Sequence, residues 1–267
     1  MTTLPKMTVE RSLLSDVEKA LKTEWLVTNG LGGYASSTVL GVNTRKYHGL
    51  LVAALNPPVD RHVLLSNIDE EIRMSNKRYH LGANETTAGM QPKEALFPVD
   101  FALNPLPTYT YEVERQLRLT KTILMPYGKN ASVIIYEAAN ASDEMAGISA
   151  SPLVNMRGFH SVTQKDQVRW NTVLKGSDQM LIARPSAGFP ALVLFSTDGS
   201  FVAEQGEWIE TYYRVEAERG ETSVDYNYRP GSFELSLAPH ETRRFSILAV
   251  AGKDDNEAEA TLRTIYK

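Results

Sequence analysis

From Arg115 to Met125 the chain reads RQLRLTKTILM, with Leu117, Leu119, Ile123 and Met125 on one side and Arg118, Thr120 and Thr122 on the other. That period of two belongs to a strand buried on one face, because successive side chains of an extended chain point to opposite sides. SVIIYEAA (132–139), FELSL (233–237) and RRFSILAV (243–250) read the same way. Turn signals stand between such runs: Asn56-Pro57-Pro58, Asn104-Pro105, Asp198-Gly199, Arg219-Gly220, Pro230-Gly231 and Pro239-His240. No helix-length amphipathic segments alternate with the strands. A doubly wound α/β fold is therefore disfavoured, and the expected fold is mainly β, a large antiparallel β-sandwich with few short helices.

Two helices are expected at the ends. Ser15-Asp16-Val17-Glu18 has the form of a capping box, and Val17, Ala20 and Leu21 follow at helical spacing, which predicts a helix over 15–22. Near the other end, Asp254 to Glu257 offers an N-cap and an acidic first turn, with Ala258, Leu262 and Ile265 behind it. A helix of about a dozen residues is marginal unless it packs on something.

The 267 residues carry a net charge of -4, too acidic a balance to attract a phosphate backbone, so nucleic acid is a poor partner. There is no cysteine, which removes disulfides, thiolate nucleophiles and cysteine metal sites and is compatible with a reducing compartment. No apolar run approaches the roughly 18 residues of a membrane span, and the N-terminus lacks a signal-peptide core. A cytoplasmic chain without membrane contact is the expectation.

Gly30-Leu31-Gly32-Gly33-Tyr34-Ala35 fits the pattern G-x-G-x-x-A of dinucleotide-binding loops. That reading needs a helix directly after the loop to face the pyrophosphate and an acidic residue about 20 positions on. The next residues are instead SSTVLGVNTRKYHGLLVA, β-branched and glycine-interrupted, with no acid between Tyr34 and Val59. Gly30, Gly32 and Gly33 are therefore expected to form a structural turn between two strands, and no cofactor is expected. Just after it, Asn43, Arg45, Tyr47 and His48 combine an amide, a bidentate donor, an aromatic face and an imidazole, the groups that sugar sites use. They equally suit the satisfaction of buried backbone groups at a strand end.

The five histidines are scattered without H-x-H or H-E-x-x-H spacing, so no metal site is expected. There is no G-x-S-x-G elbow. Asp69-Glu70-Glu71 offers carboxylates, but adjacent acids on a strand point to opposite faces, and the run reads as a solvated strand end. No catalytic residue is assigned. The stretch 208–220, with Trp208, Tyr212 and Tyr213, is dense in aromatic, arginine and glutamate residues, a composition found in carbohydrate grooves, domain interfaces and core edges alike.

WLVTNGLGGYASSTVLGVNTRKYHGLLVAAL resembles the opening signature of the N-terminal domain of bacterial and archaeal type glycogen-debranching enzymes, the amylo-α-1,6-glucosidase family. HVLLSNIDEEI, PLVNMRGFHSV (152–162) and WIETYYRVEAERGETSVDYNYRPGSFELSL come after it in the family's order. The resemblance implies a supersandwich of galactose-mutarotase-like architecture over 1–253. It also implies that 254–267 begins a helical linker toward an (α/α) toroid, absent here, that carries the catalytic carboxylates of the glycoside hydrolase. The chain is then expected to be a non-catalytic domain that binds α-glucan, glycogen or maltooligosaccharide, or docks the toroid in cis or trans. Asn43, Arg45, Tyr47, His48, Trp208, Tyr212 and Tyr213 are the candidates for either contact. The alternatives are a stand-alone sugar-active enzyme, mutarotase-like or a small glycosidase, using Glu70, Glu71 or His48, and a protein-interaction remnant that binds no sugar.

Overall fold

The computed structural model describes residues 7–165, 167–176, 179–185 and 190–266. Strands β1 (Met7–Thr8), β2 (Glu24–Thr28), β3 (Tyr34–Thr38), β4 (Gly49–Asn56), β5 (Val59–Met74) and β6 (Lys77–Leu81) come first, with helices α1 (Arg11–Ser15) and α2 (Val17–Ala20) between β1 and β2. A small hairpin, β7 (Asn84–Thr86) with β8 (Gly89–Gln91), leads to β9 (Asp100–Leu103), β10 (Pro107–Val113), β11 (Leu117–Leu124) and β12 (Ala131–Asn140). Next are β13 (Ala146–Gly158), β14 (Trp170–Lys175), β15 (Met180–Pro185), β16 (Ala191–Ser196) and β17 (Ser200–Tyr212). Helix α3 (Arg214–Glu218), strands β18 (Val224–Leu237) and β19 (Thr242–Gly252), and helix α4 (Asp255–Ile265) complete the described chain.

The strands form two large sheets. One runs β1-β9-β10-β11-β12-β19-β16-β15-β14; the other runs β17-β18-β13-β5-β4-β3-β2, with β6 also paired to β5. Neighbours within each sheet are antiparallel, as the sandwich expectation requires. The alternation read at 115–125 is realised in β11, where Leu117, Leu119 and Ile123 turn into the core between the sheets. The same period carries Lys121 inward. Ile68 and Ile72 of β5, Ile148 and Ala150 of β13, and Phe233 and Leu235 of β18 meet them from the second sheet.

A second apolar cluster lies on the other side of the first sheet. There Ala258 and Leu262 of α4 pack on Val133, Val193, Leu248 and Val250. Asp254 is the N-cap and accepts from the Glu257 N–H at 2.9 Å, as its sequence position indicates. Burial of one stripe against the sheet supplies what a helix this short lacks alone. Among the described residues, no helix is long and apolar enough to cross a membrane.

Two local expectations are corrected. The N-terminal helix over 15–22 is instead two short turns, and its cap is Asp16, which accepts from the Lys19 N–H at 3.2 Å; Ser15 donates back to the Arg11 carbonyl. Pro230-Gly231 is no turn but a bulge inside β18. Gly231 has φ 145°, and the register against β17 shifts between Ala203 and Glu207, so one long strand bends where two were expected.

Candidate functional site

The glycine loop joins β2 to β3, as expected. Its backbone N–H groups face Asn29, which is fully buried and accepts from Leu31 at 2.9 Å and Gly33 at 3.1 Å. Two of the loop's N–H groups are thus engaged by the chain's own side chain. Gly32 has φ +93°, and a Cβ there would stand 2.5 Å from the Pro58 carbonyl, so glycine is required by backbone and neighbour together.

The residues after the loop divide. Asn43, 3% exposed, accepts from Ser37 at 2.9 Å and donates to the Ser66 carbonyl at 3.0 Å, tying β3 to β5. His48, 2% exposed, accepts at Nδ1 from the Thr44 N–H at 3.2 Å, and its Nε2 lies 3.6 Å from Glu24. Arg45 is half-buried and donates to Glu24 at 2.5 Å. His48 and then Arg45 outweigh the desolvation of Glu24 and hold its carboxyl down at about 2. Tyr47 stays at the surface, where its hydroxyl lies 3.2 Å from His160 and its ring meets Phe159 and His160 edge-on at 5.4 and 5.6 Å. Its carbonyl accepts from Tyr34, whose phenol is pushed up to about 12 by burial.

The second aromatic stretch folds back on the first. Tyr213 is fully buried and donates to Asp225 at 2.7 Å; Arg157 donates to the same carboxylate at 2.7 Å and to the Lys46 carbonyl at 2.7 Å. Thr163 N–H caps the other oxygen of Asp225 at 2.7 Å. Burial, then the nearby Asp225 charge, raises the Tyr213 phenol. Burial alone would lower the Arg157 guanidinium, yet Tyr213 and Asp225 together raise it, so the group is a fixed cation. The Thr44 carbonyl accepts from Val215 N–H of α3 at 3.2 Å, and the Lys46 ammonium reaches Glu221 at 3.3 Å. Residues 43–48 and 213–225 thus close on one buried charged node, with Tyr47, Phe159 and His160 over it.

Trp208 lies elsewhere, in a groove of about 620 Å³ on the outer face of the second sheet. Tyr212, the half-buried end of β17, is not among the groove's lining residues. The floor is the face of β5, β13 and β18 opposite the core and carries Asp69, Glu71, Ser149, Ser151, Ser232 and Glu234. The reading of 69–71 as a solvated strand end is corrected here. The alternation holds, but Glu70 points inward, 2.7 Å from the Lys121 ammonium and accepting from Tyr136 at 2.5 Å. Asp69 accepts from Asn84 at 2.9 Å. Desolvation pushes its carboxyl up to about 6; Asn84 opposes that rise and the Glu70 charge adds to it. Sequence periodicity could place 69 and 71 on one face, but nothing local signals that β17 and residues 81–92 wall that face in.

Among the described residues, no group of acids and histidines is placed to hold a metal ion. No curated protein sequence matches the chain. Solved structures with a similar course include a heparinase III gene product, at 11% identity and TM-score 0.39, covering 57% of this chain and 20% of that one. A bacterial glucoamylase complexed with acarbose is similar at 12% identity and TM-score 0.45, over 93% of this chain and 33% of the other. A proposed aldose 1-epimerase from Escherichia coli K12 matches at 8% identity and TM-score 0.39, over 86% and 99%. The chain therefore spans a third or less of the first two. The match that decides the family is of another kind, since residues 23–244 fit the model for the glycogen debranching enzyme N terminal along most of their length, and the chain belongs to that family.

Proposed function

We propose that the chain is the accessory, non-catalytic module of a glycogen-debranching-type glycoside hydrolase, and that it docks a catalytic (α/α) toroid acting on α-glucan. The observation carrying this reading is the convergence of 43–48 and 213–225 on the Arg157–Asp225–Tyr213 node. Two distant segments spend buried charge to hold one patch of surface, with Tyr47, Phe159 and His160 packed on one another. An aromatic cluster with the half-buried Arg45 close by in the chain has the composition of a protein interface. Asn43 and His48 are buried and tie down the segment that carries Tyr47. The same reading places the chain in the cytoplasm, where such an enzyme would meet glycogen.

The test is titration calorimetry of the chain against a separately expressed (α/α) toroid of the same family. Association is expected, weakened at least about tenfold by Tyr47→Ala. No association, or association untouched by Tyr47→Ala and Arg45→Ala together, refutes docking through this patch. Release of glucose from a branched limit dextrin by the purified chain refutes the non-catalytic assignment.

A further inference from the structure

We infer that the floor of the groove on the outer face of the second sheet binds a primary alkylammonium group, carried by a free polyamine or by a lysine side chain, with Asp69 as counter-ion and the Ser149 and Ser151 hydroxyls as further acceptors.

One observation is an orphaned hydroxyl. Ser149 is 8% exposed and lines the groove, yet its hydroxyl makes no hydrogen bond to a described residue. A buried hydroxyl left unbonded is costly, and a ligand that donates to it removes that cost. Ser151, two residues on and on the same face of β13, is likewise unbonded among the described residues.

The other is an unpaired carboxylate. Asp69, Glu71 and Glu234 on the floor and Glu204, Glu207 and Glu210 on the wall outnumber the guanidinium groups of the lining, Arg73, Arg78 and Arg229. Those cations are already engaged. Arg73 pairs with Glu234, Arg78 lies 3.8 Å from Glu71, and Arg229 pairs with Glu207. His80 also turns to Glu71, at 3.7 Å. Asp69 is left with one hydrogen bond, from Asn84, and no ion pair among the described residues.

Strand register brings the two features together. Ser151 is the direct partner of Asp69 across β13 and β5, and Ser149 is that of Glu71. Side chains directly opposite stand about 4.5–5.5 Å apart at Cβ, a span that one small cation bridges. Desolvation raises the Asp69 carboxyl to about 6, against the Asn84 hydrogen bond and with the Glu70 charge; Arg229 and Lys121 pull it down only from a distance. A cation seated beside it would remove much of that rise.

The acceptors narrow the class. One Asp69 oxygen is taken by Asn84, so the two-pronged grip of a guanidinium on a carboxylate is not open there. An ammonium is a compact charge with three donors, which one carboxylate oxygen and neighbouring hydroxyls satisfy. Residues 81–92 hold this arrangement in shape. Asn84 donates to Asp69 at 2.9 Å, the Thr87 N–H donates to Glu210 at 2.8 Å, and Arg214 forks onto Glu85 at 2.8 and 2.9 Å. The acceptors are therefore preorganised, and a volume of about 620 Å³ admits the alkyl chain behind the ammonium.

The experiment is titration calorimetry of the full chain at about pH 7.5, where Asp69 is ionised, with spermidine, a blocked tetralysine peptide and a blocked tetra-arginine peptide. Saturable binding of spermidine or tetralysine is expected, tighter than that of tetra-arginine, and the tighter of the first two identifies the source. Asp69→Asn should weaken it at least about tenfold and Ser149→Ala about threefold. Glu204→Gln, at the exposed rim, should change it by less than about twofold. At about pH 5 the affinity of the unaltered chain should fall roughly tenfold, with a proton released on binding, and Asp69→Asn should lose this dependence. Far-ultraviolet circular dichroism reports folding of each variant. No binding of spermidine or tetralysine, binding of tetra-arginine as tight as either, or a loss in Glu204→Gln as large as in Asp69→Asn overturns the inference. Docking through Tyr47 does not depend on any of these outcomes and keeps its own test.

Discussion

Replacing Asp69 by Asn should stabilise the protein, and by an amount that depends on pH in a stated direction. The Asp69 carboxyl is raised from its usual 3.8 to about 6 by desolvation in the groove floor. A carboxyl whose folded value lies above its unfolded value binds its proton more tightly in the folded state. Stability is then highest below 3.8 and falls as pH rises toward 6, beyond which the full cost is present. A rise from 3.8 to about 6 corresponds to roughly 3 kcal/mol at neutral pH and to only a small fraction of that near pH 4. Asparagine carries no charge at either pH, and its carbonyl can accept from Asn84 as the carboxylate does. Urea unfolding at both pH values measures the difference. With a slope of about 3 kcal/mol per molar, the variant's midpoint should rise by about 1 M at neutral pH and hardly move near pH 4. An equal change at both pH values, or a less stable variant at neutral pH, refutes the reasoning.

Glu24 should behave oppositely: its depressed carboxyl contributes stability that is present above 4.5 and lost as pH falls toward 2, so Glu24→Gln should flatten that part of a thermal unfolding profile. Lys121→Met leaves the Glu70 carboxylate alone inside the sandwich and should cost about 3–5 kcal/mol by urea unfolding, most of which the double variant with Glu70→Leu regains. Gly32→Ala imposes both a left-handed backbone and a contact on the Pro58 carbonyl, and should lower stability by more than about 1 kcal/mol in the same assay.

The architecture was legible wherever one strand carries its own signal. β11, β12 and β19 announce themselves by alternation, and α4 by its cap and stripe. The glycine loop was legible as a connection between strands, since the residues on both sides of it are strand-like and no helical pattern follows. What stayed hidden depends on partners far along the chain. Glu70 reads as a solvated acid until β11 brings Lys121 against it. Asn43 and His48 have the chemistry of ligands, and only the packing of β3 and β5 shows them turned inward. Trp208 and Tyr213 are five positions apart in one stretch, yet one lines a groove and the other is locked in the node, because β17 ends between them and α3 turns the chain. Asp16 displaced Ser15 as a cap by a margin of one residue, within the ordinary uncertainty of helix ends.

The Lys121–Glu70 bridge has a consequence for error as well as for structure. β11 runs from Leu117 to Leu124 and pairs along its length with β10 and β12, so neighbouring registers differ little in backbone hydrogen bonds. A slip of one residue in β11 would turn Lys121 to water and strand Glu70 among Tyr136 and the apolar core. The correctly aligned pair gains little over a hydrophobic one, but each misaligned sandwich buries a lone charge at several kcal/mol. The bridge thus works as proofreading: it widens the gap above wrong alignments more than it deepens the right one.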